Sequence, residues 1–152
     1  MKTLNDYLKE ARISGYAIGH FNFSTEDVLR GIVEASRDAG APAVMVGTSE
    51  GESDFVGIYE AVALVQAVAK HYNFPVFLNA DHFKSFEKCK EVIDAGYDSV
   101  IIDASKMSYE ENLAVTKKVV DLGKLKVSGT IYGRLILDEI LMKVYNDATE
   151  IR

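Results

Sequence analysis

The chain has 152 residues, 17 Lys+Arg against 23 Asp+Glu for a formal charge of −6, and 48% hydrophobic residues. That suits one soluble globular domain spanning 1–152 and excludes a disordered or fibrous polypeptide. With an acidic balance and no basic cluster, neither nucleic acid nor an anionic membrane surface is expected as a partner.

In chain order, a short helix is expected from about Leu4 to Arg12 behind Thr3, placed to plug one end of a barrel or pack under a sheet. From Tyr16 onward, short β-rich runs alternate with longer stretches of helical period, the pattern of βα units in a parallel sheet. The strand candidates are Ala17 to Phe23, Pro42 to Thr48, Pro75 to Ala80, Ser99 to Asp103 and Lys126 to Tyr132. Runs such as Val44-Met45-Val46 and Val100-Ile101-Ile102 are apolar throughout, as expected when both faces of a strand are covered.

The first helix between strands is announced by Ser24-Thr25-Glu26-Asp27, read as a capping box, and should end at Gly40. Its residues Val28, Leu29, Ile32 and Val33 form the face expected on the sheet. Further helices are expected from Ile58 to Tyr72, from Ser85 to Ala95, and from a second box at Ser108-Tyr109-Glu110-Glu111. Phe86, Cys89, Val92 and Ile93 share one face of the third, so Cys89 is read as a buried small hydrophobe. A last helical stripe runs through Leu137, Ile140, Leu141 and Val144.

Cys89 is the only cysteine, so an intramolecular disulfide and a thiolate metal cage are excluded. The amino terminus carries no apolar signal core, and no run of about 18 apolar residues occurs. A cytoplasmic location is the expectation. Length alone favours an open doubly wound sheet, because a complete (β/α)₈ barrel takes about 250 residues.

In parallel α/β folds, chemistry collects at the carboxyl ends of the strands. Those ends hold Asn22, Thr48-Ser49-Glu50-Gly51, Asp81-His82 and Asp103-Ala104-Ser105. Helix caps want the same residue types at the same places. Asp81-His82 is the most informative pair, since a neutral imidazole ligates zinc and an adjacent carboxylate can act as acid or base. The alternative is a buried histidine satisfied by a backbone carbonyl beside a capping aspartate. His20 lies in strand one on the side of Asn22, and His71 falls at the charged end of a helix, where it should be solvated. Gly47-Thr48-Ser49-Glu50-Gly51 reads as a loop with a weak claim to cradle a phosphate. No HExxH, CxxC, GxGxxG or GxxxxGK[ST] motif occurs.

Four ordered segments resemble the class II, zinc-dependent fructose-bisphosphate and tagatose-bisphosphate aldolases: Gly15 to Asn22, Ala41-Pro42 leading to Ser49-Glu50-Gly51, Pro75-Val76 leading to Asp81-His82, and Ala95 to Ser105 followed by Glu110-Glu111-Asn112. The likeness covers about residues 3 to 124. It reverses the preference for an open sheet and implies a partial (β/α)₈ TIM barrel of about five βα units. Residues 1–125 would form the aldolase-like half-barrel, and 126–152 a divergent fifth strand and terminal helix.

By this resemblance His82 would be a zinc ligand and Asp81 the acid/base that handles the C4 hydroxyl proton. Asn22 would contact the substrate carbonyl region, Ser49 would lie near the phosphate or metal, and Asp103 near a second cation. The implied reaction is reversible cleavage of a ketose 1,6-bisphosphate to dihydroxyacetone phosphate and glyceraldehyde 3-phosphate, with zinc as Lewis acid for the enediolate. A Schiff-base mechanism would need a lysine, and Lys84 and Lys106 lie near the right ends. The likeness stops after strand five, where the family's Val-Glu-x-Glu-Leu-Gly is replaced by Val127-Ser128-Gly129-Thr130-Ile131. A catalytic zinc takes three protein ligands and His82 is one, so full activity is not expected of this chain alone. Two other readings stand beside this one. One is a non-catalytic half-barrel that self-associates as a dimer or is completed by another chain, and the other a flavodoxin-like binder of a phosphorylated cofactor using Ser24-Thr25 at a helix N-terminus.

Overall fold

The computed structural model describes residues 2–126. Helix α1 (Leu4–Ser14) leads into β1 (His20–Asn22), α2 (Glu26–Asp38), β2 (Val44–Ser49), α3 (Glu50–Val56) and α4 (Ile58–Tyr72). Then follow β3 (Val76–Phe83), α5 (Phe86–Ala95), β4 (Ser99–Ile102) and α6 (Tyr109–Lys126). All four strands are parallel, in the order β1-β2-β3-β4. Each crossover therefore steps one strand in the same direction. With right-handed connections this puts every crossover helix on one face of the sheet, the arrangement of a partial barrel. A doubly wound sheet reverses its strand order part-way, so the flavodoxin-like reading falls.

The helices form where the sequence has caps and one apolar stripe. Thr3 and Asp6 make a reciprocal capping box at the start of α1, and Gly15 closes it in a left-handed conformation. In α5 the Ser85 side chain accepts from Lys88 N, and the Ser108 box at α6 forms through Glu111. The box expected at Ser24 does not form. Thr25 is the N-cap of α2 and makes no side-chain cap bond, and Asp27 stays in the first turn as a charge favourable to the helix dipole. Leu29 and Val33 of α2 are buried and Ile32 packs against the core, but Val28 points outward, so the expected face is narrower by one residue. The fifth strand, expected from Lys126 to Tyr132, does not start where expected, because α6 continues through Lys126. The rest of that strand and the helical stripe from Leu137 to Val144 lie outside the described residues.

Alternation along the strands separates two chemistries. Val44, Val46, Thr48, Val76, Leu78, Ala80 and Phe83 face the helices and are buried with Leu29, Val33, Ala61, Val65, Cys89, Val92 and Val119. The opposite, inner face carries His20, Asn22, Met45, Gly47, Ser49, Phe77, Asn79, Asp81 and Ser99, as the strand register aligns them. At the amino end of this inner face, Tyr7 of α1 packs on Phe77 with ring centroids 5.6 Å apart, so α1 closes that end as expected. Cys89 is fully buried and desolvation pushes its thiol up to about 12, which keeps it an inert core residue. No helix among the described residues is long and apolar enough to cross a membrane.

Candidate active site at the carboxyl end of the sheet

Asn22, at the end of β1, donates both amide hydrogens to carboxylates: 3.0 Å to Glu52 Oε2 and 3.1 Å to Asp81 Oδ2. One side chain thus ties the ends of β1, α3 and β3 together. Its neighbour is Gly47 of β2, where a Cβ would lie 2.5 Å from His20 Nε2 and 2.7 Å from Asn22 Oδ1. Glycine is required there for two polar side chains to lie across the strand. The loop expected over Gly47 to Gly51 is not one: Gly47 and Thr48 are strand residues, and Ser49 opens a helix.

Ser49 is the N-cap of α3. Its hydroxyl accepts from Glu52 N at 3.3 Å, and its own backbone N–H donates to Glu52 Oε2 at 2.7 Å. It pairs in register with Asp81, so it lies at the mouth, committed to the capping role that competes with a ligand role at any such position. Glu52 went unnoticed in the sequence because residues 47–51 read as a loop. The signal was Ser49-x-x-Glu52, a capping box like those at Thr3 and Ser108. Glu50 adds a second tie, accepting from Lys84 N at 2.6 Å.

Asp81 and His82 are adjacent, and regular alternation would send them to opposite faces. The backbone resolves this. The β3–β4 register shifts between Ala80 and Phe83, and His82 adopts φ 105°. That conformation disfavours a Cβ by about 1–2 kcal/mol. It moves Phe83, which alternation would place with Asp81, to the buried side with Ala80 while the imidazole turns to the mouth. His82 Nε2 lies 3.7 Å from Asp81 Oδ1, and Nδ1 lies 3.4 Å from Asp103 Oδ2. Asp103 just beyond β4 also pairs with Lys84 and accepts from the Ser105 hydroxyl at 2.6 Å. The Lys84 ammonium holds its carboxyl well below the usual carboxylate range, with Ser105 assisting.

Deeper on the inner face, Asn79 Nδ2 approaches His20 Nε2 at 3.2 Å, and Ser99 Oγ donates to Asn79 Oδ1 at 2.5 Å. An amide N–H can only donate, so Nε2 of His20 is the acceptor of a neutral ring. Desolvation lowers the His20 pKa in the same sense, against the pull of Asp81. His71 lies exposed in the last turn of α4, edge-on to Tyr72 and away from the mouth, as expected. Lys106 is exposed in the turn after Asp103, and Lys84 is engaged by that carboxylate. Asn22, Ser49, Asp81, His82 and Asp103 thus sit at neighbouring carboxyl ends of one parallel sheet. No group of three or more His, Cys, Asp or Glu side chains that could hold a metal ion occurs among the described residues.

Comparison with known proteins agrees with this layout. The family model for fructose-bisphosphate aldolase class-II matches residues 2–127. The chain belongs to the class II fructose-bisphosphate aldolase family. A fructose-bisphosphate aldolase of Staphylococcus aureus is 43% identical over 122 residues, which is 78% of this chain and 42% of that protein. One from Helicobacter pylori is 40% identical over 119 residues, covering 78% of this chain and 38% of that protein. Among solved structures, the YdjI aldolase of Escherichia coli K12 superposes with a TM-score of 0.70 at 27% identity, covering 80% of this chain and 46% of that one. The fructose-bisphosphate aldolase of Campylobacter jejuni gives 0.65 at 25%, covering 79% and 43%. This aldolase-family chain therefore spans less than half the length of the curated relatives it matches, and its sheet corresponds to part of a TIM barrel.

Proposed function

We propose that the chain carries the Asp81 half of a class II aldolase site, acting on a ketose 1,6-bisphosphate such as fructose or tagatose bisphosphate. The observation that carries this reading is the mouth itself: Asn22 holds Asp81 by one carboxylate oxygen, and the kinked β3 backbone brings His82 to the same side. In the cleavage direction Asp81 takes the proton of the C4 hydroxyl. As the oxygen forms a carbonyl, the C3–C4 bond breaks and its electron pair moves into the C2 carbonyl as an enediolate. Protonation at C3 then releases dihydroxyacetone phosphate beside glyceraldehyde 3-phosphate. Asn22 fixes the carboxylate, and its place beside that oxygen suits contact with the carbonyl region of the sugar. Ser49 and Asp103 flank the mouth on either side, at the positions proposed for the phosphate and a second cation.

The described residues do not by themselves fit a catalytic zinc ion, because His82 is the single imidazole at the mouth and no triad of ligands converges. Zinc at this site would need further ligands from outside residues 2–126. The 152-residue chain alone is expected to take up zinc weakly and to cleave fructose 1,6-bisphosphate slowly or not at all. Zinc uptake and turnover of the Asp81→Asn and His82→Ala variants test the assignment, with missing ligands supplied by any partner that restores activity. His82→Ala should lose metal and turnover together. Asp81→Asn should keep the metal and lose about 10²–10⁴-fold in kcat. Equal metal loss in both, or chelator-sensitive turnover by the isolated chain near that of a full-length aldolase, would overturn the reading.

A further inference from the structure

We propose that Glu52 is a positioning residue for Asp81: by holding the Asn22 amide, it fixes which oxygen of Asp81 is left to face a substrate. The catalytic consequence rests on the aldolase reading, whereas the hold on the two side chains does not.

The arrangement begins with a strand that runs into a helix without a loop. β2 ends at Ser49, which is also the N-cap of α3, so the third helical residue, Glu52, turns back over the end of β2. There its Oε2 accepts twice, from Ser49 N at 2.7 Å and from Asn22 Nδ2 at 3.0 Å. The capping box uses only the first of these bonds. At α1 the shorter Asp6 closes the same kind of box on Thr3, so capping alone does not call for a glutamate. The second bond crosses to β1. α3 is in turn held against the end of β3, because Glu50 Oε1 accepts from Lys84 N at 2.6 Å.

The amide nitrogen of Asn22 has two hydrogens, and Glu52 and Asp81 take one each. A single acceptor would leave the side chain several ways to reach it. Two acceptors on different elements leave the one orientation that aims the nitrogen at both, and hydrogen bonds to carboxylates are roughly twice as strong as those between neutral groups. The Asn22 oxygen then lies over Gly47, 2.7 Å from where a Cβ would stand, so the glycine gives that orientation its room. The grip falls on Oδ2 of Asp81. Its Oδ1, 3.7 Å from His82 Nε2, is the oxygen that Asn22 leaves alone. In the cleavage proposed above, Oδ1 is therefore the atom that takes the C4 hydroxyl proton, and Glu52 reaches the chemistry without touching the sugar.

The test reads the order of two side chains by NMR of the 152-residue chain. The Asn22 amide should be about as rigid as the backbone, with an order parameter of about 0.8, and the couplings to Asp81 Cγ should report one χ1 rotamer. Glu52→Met keeps the length of the side chain and removes the acceptor. In it the Asn22 order parameter should fall below about 0.6, and the Asp81 couplings should average over rotamers. Glu52→Gln keeps an acceptor oxygen and should restore both. Asp6→Met removes the corresponding acid from the box of α1 and should change neither, which separates positioning from capping. In any preparation that turns over fructose 1,6-bisphosphate, Glu52→Met should lower kcat about tenfold with KM within about twofold, and in an Asn22→Ala background it should add nothing. An Asn22 amide already mobile in the unsubstituted chain would overturn the proposal, whether or not any variant folds. So would Asp81 couplings that stay single-valued in Glu52→Met, or a kcat loss that persists without Asn22. If Asp81→Asn leaves turnover intact while the spectra behave as stated, the aldolase reading falls and the hold of Glu52 on Asn22 and Asp81 stands.

Discussion

The two faces of the sheet are made from alternate residues of the same strands, yet they follow opposite rules. The helix-facing side is sealed by Val44, Val46, Leu78, Ala80 and Phe83, and its polar exception, Thr48, is satisfied by the Tyr97 hydroxyl at 2.9 Å. The inner side is a chain of polar contacts from Ser99 through Asn79 to His20, and from Asp81 through Asn22 to Glu52. Burial drives the first and sets the stability. The second contributes little apolar area, so its residues are held by the needs of the mouth rather than of the core. Substitutions should respect that boundary.

The largest effect is expected on the sealed side. Phe83→Ala should cost about 3–5 kcal/mol in urea unfolding, whereas Asn22→Ala on the inner side should cost about 1 kcal/mol or less. Comparable losses would erase the distinction. Next in size, Thr48→Val strands the buried Tyr97 hydroxyl and should cost about 1–3 kcal/mol, most of which Thr48→Val with Tyr97→Phe should restore. A smaller effect concerns the left-handed residue at the mouth. His82→Gly should be more stable than His82→Ala by about 1 kcal/mol, since only glycine relieves φ 105°. Equal midpoints would mean that the kink is not strained.

The smallest effect is electrostatic. Asp103 has a folded pKa depressed below its ordinary 3.8 by Lys84. Its contribution is therefore present above about pH 4 and fades as pH falls through the lower folded value. The Lys84 side chain is largely exposed, so screening keeps the pair to about 0.5 kcal/mol at most. Lys84→Met should lower the melting temperature slightly in the neutral region and converge on the unsubstituted chain at low pH, so that the acid limb is flatter. A variant that lowers stability equally at pH 3 and pH 7 would rule out this coupling.

Much of this layout was legible in the residues. The β-rich runs at Val44 and Val76 became β2 and β3, and Ser85 and Ser108 began helices where their hydroxyls predicted. Ile58 to Tyr72 matched α4 to the residue. The first strand is shorter than its apolar run, because only His20 to Asn22 find ladder partners on β2. The failures share one cause: they depend on the backbone's path rather than on residue type. Ser24 has the chemistry of a cap but not its place. Glu52 went unread because two glycines disguised a helix of seven residues. Nothing in Asp81-His82 announces a positive φ, without which two consecutive side chains could not reach one mouth. The carboxyl ends pointed to the right cluster, while the hydrogen bonds that organise it, Asn22 to two acids above all, needed the folded chain.

The tilted contact of Tyr7 on Phe77 covers the inner face at its amino end. Asp81 lies at the opposite pole from those first residues of the polypeptide. A chain tethered to a surface through its amino terminus would keep its reactive end turned to solution, so that anchoring point is the natural choice for immobilised binding measurements.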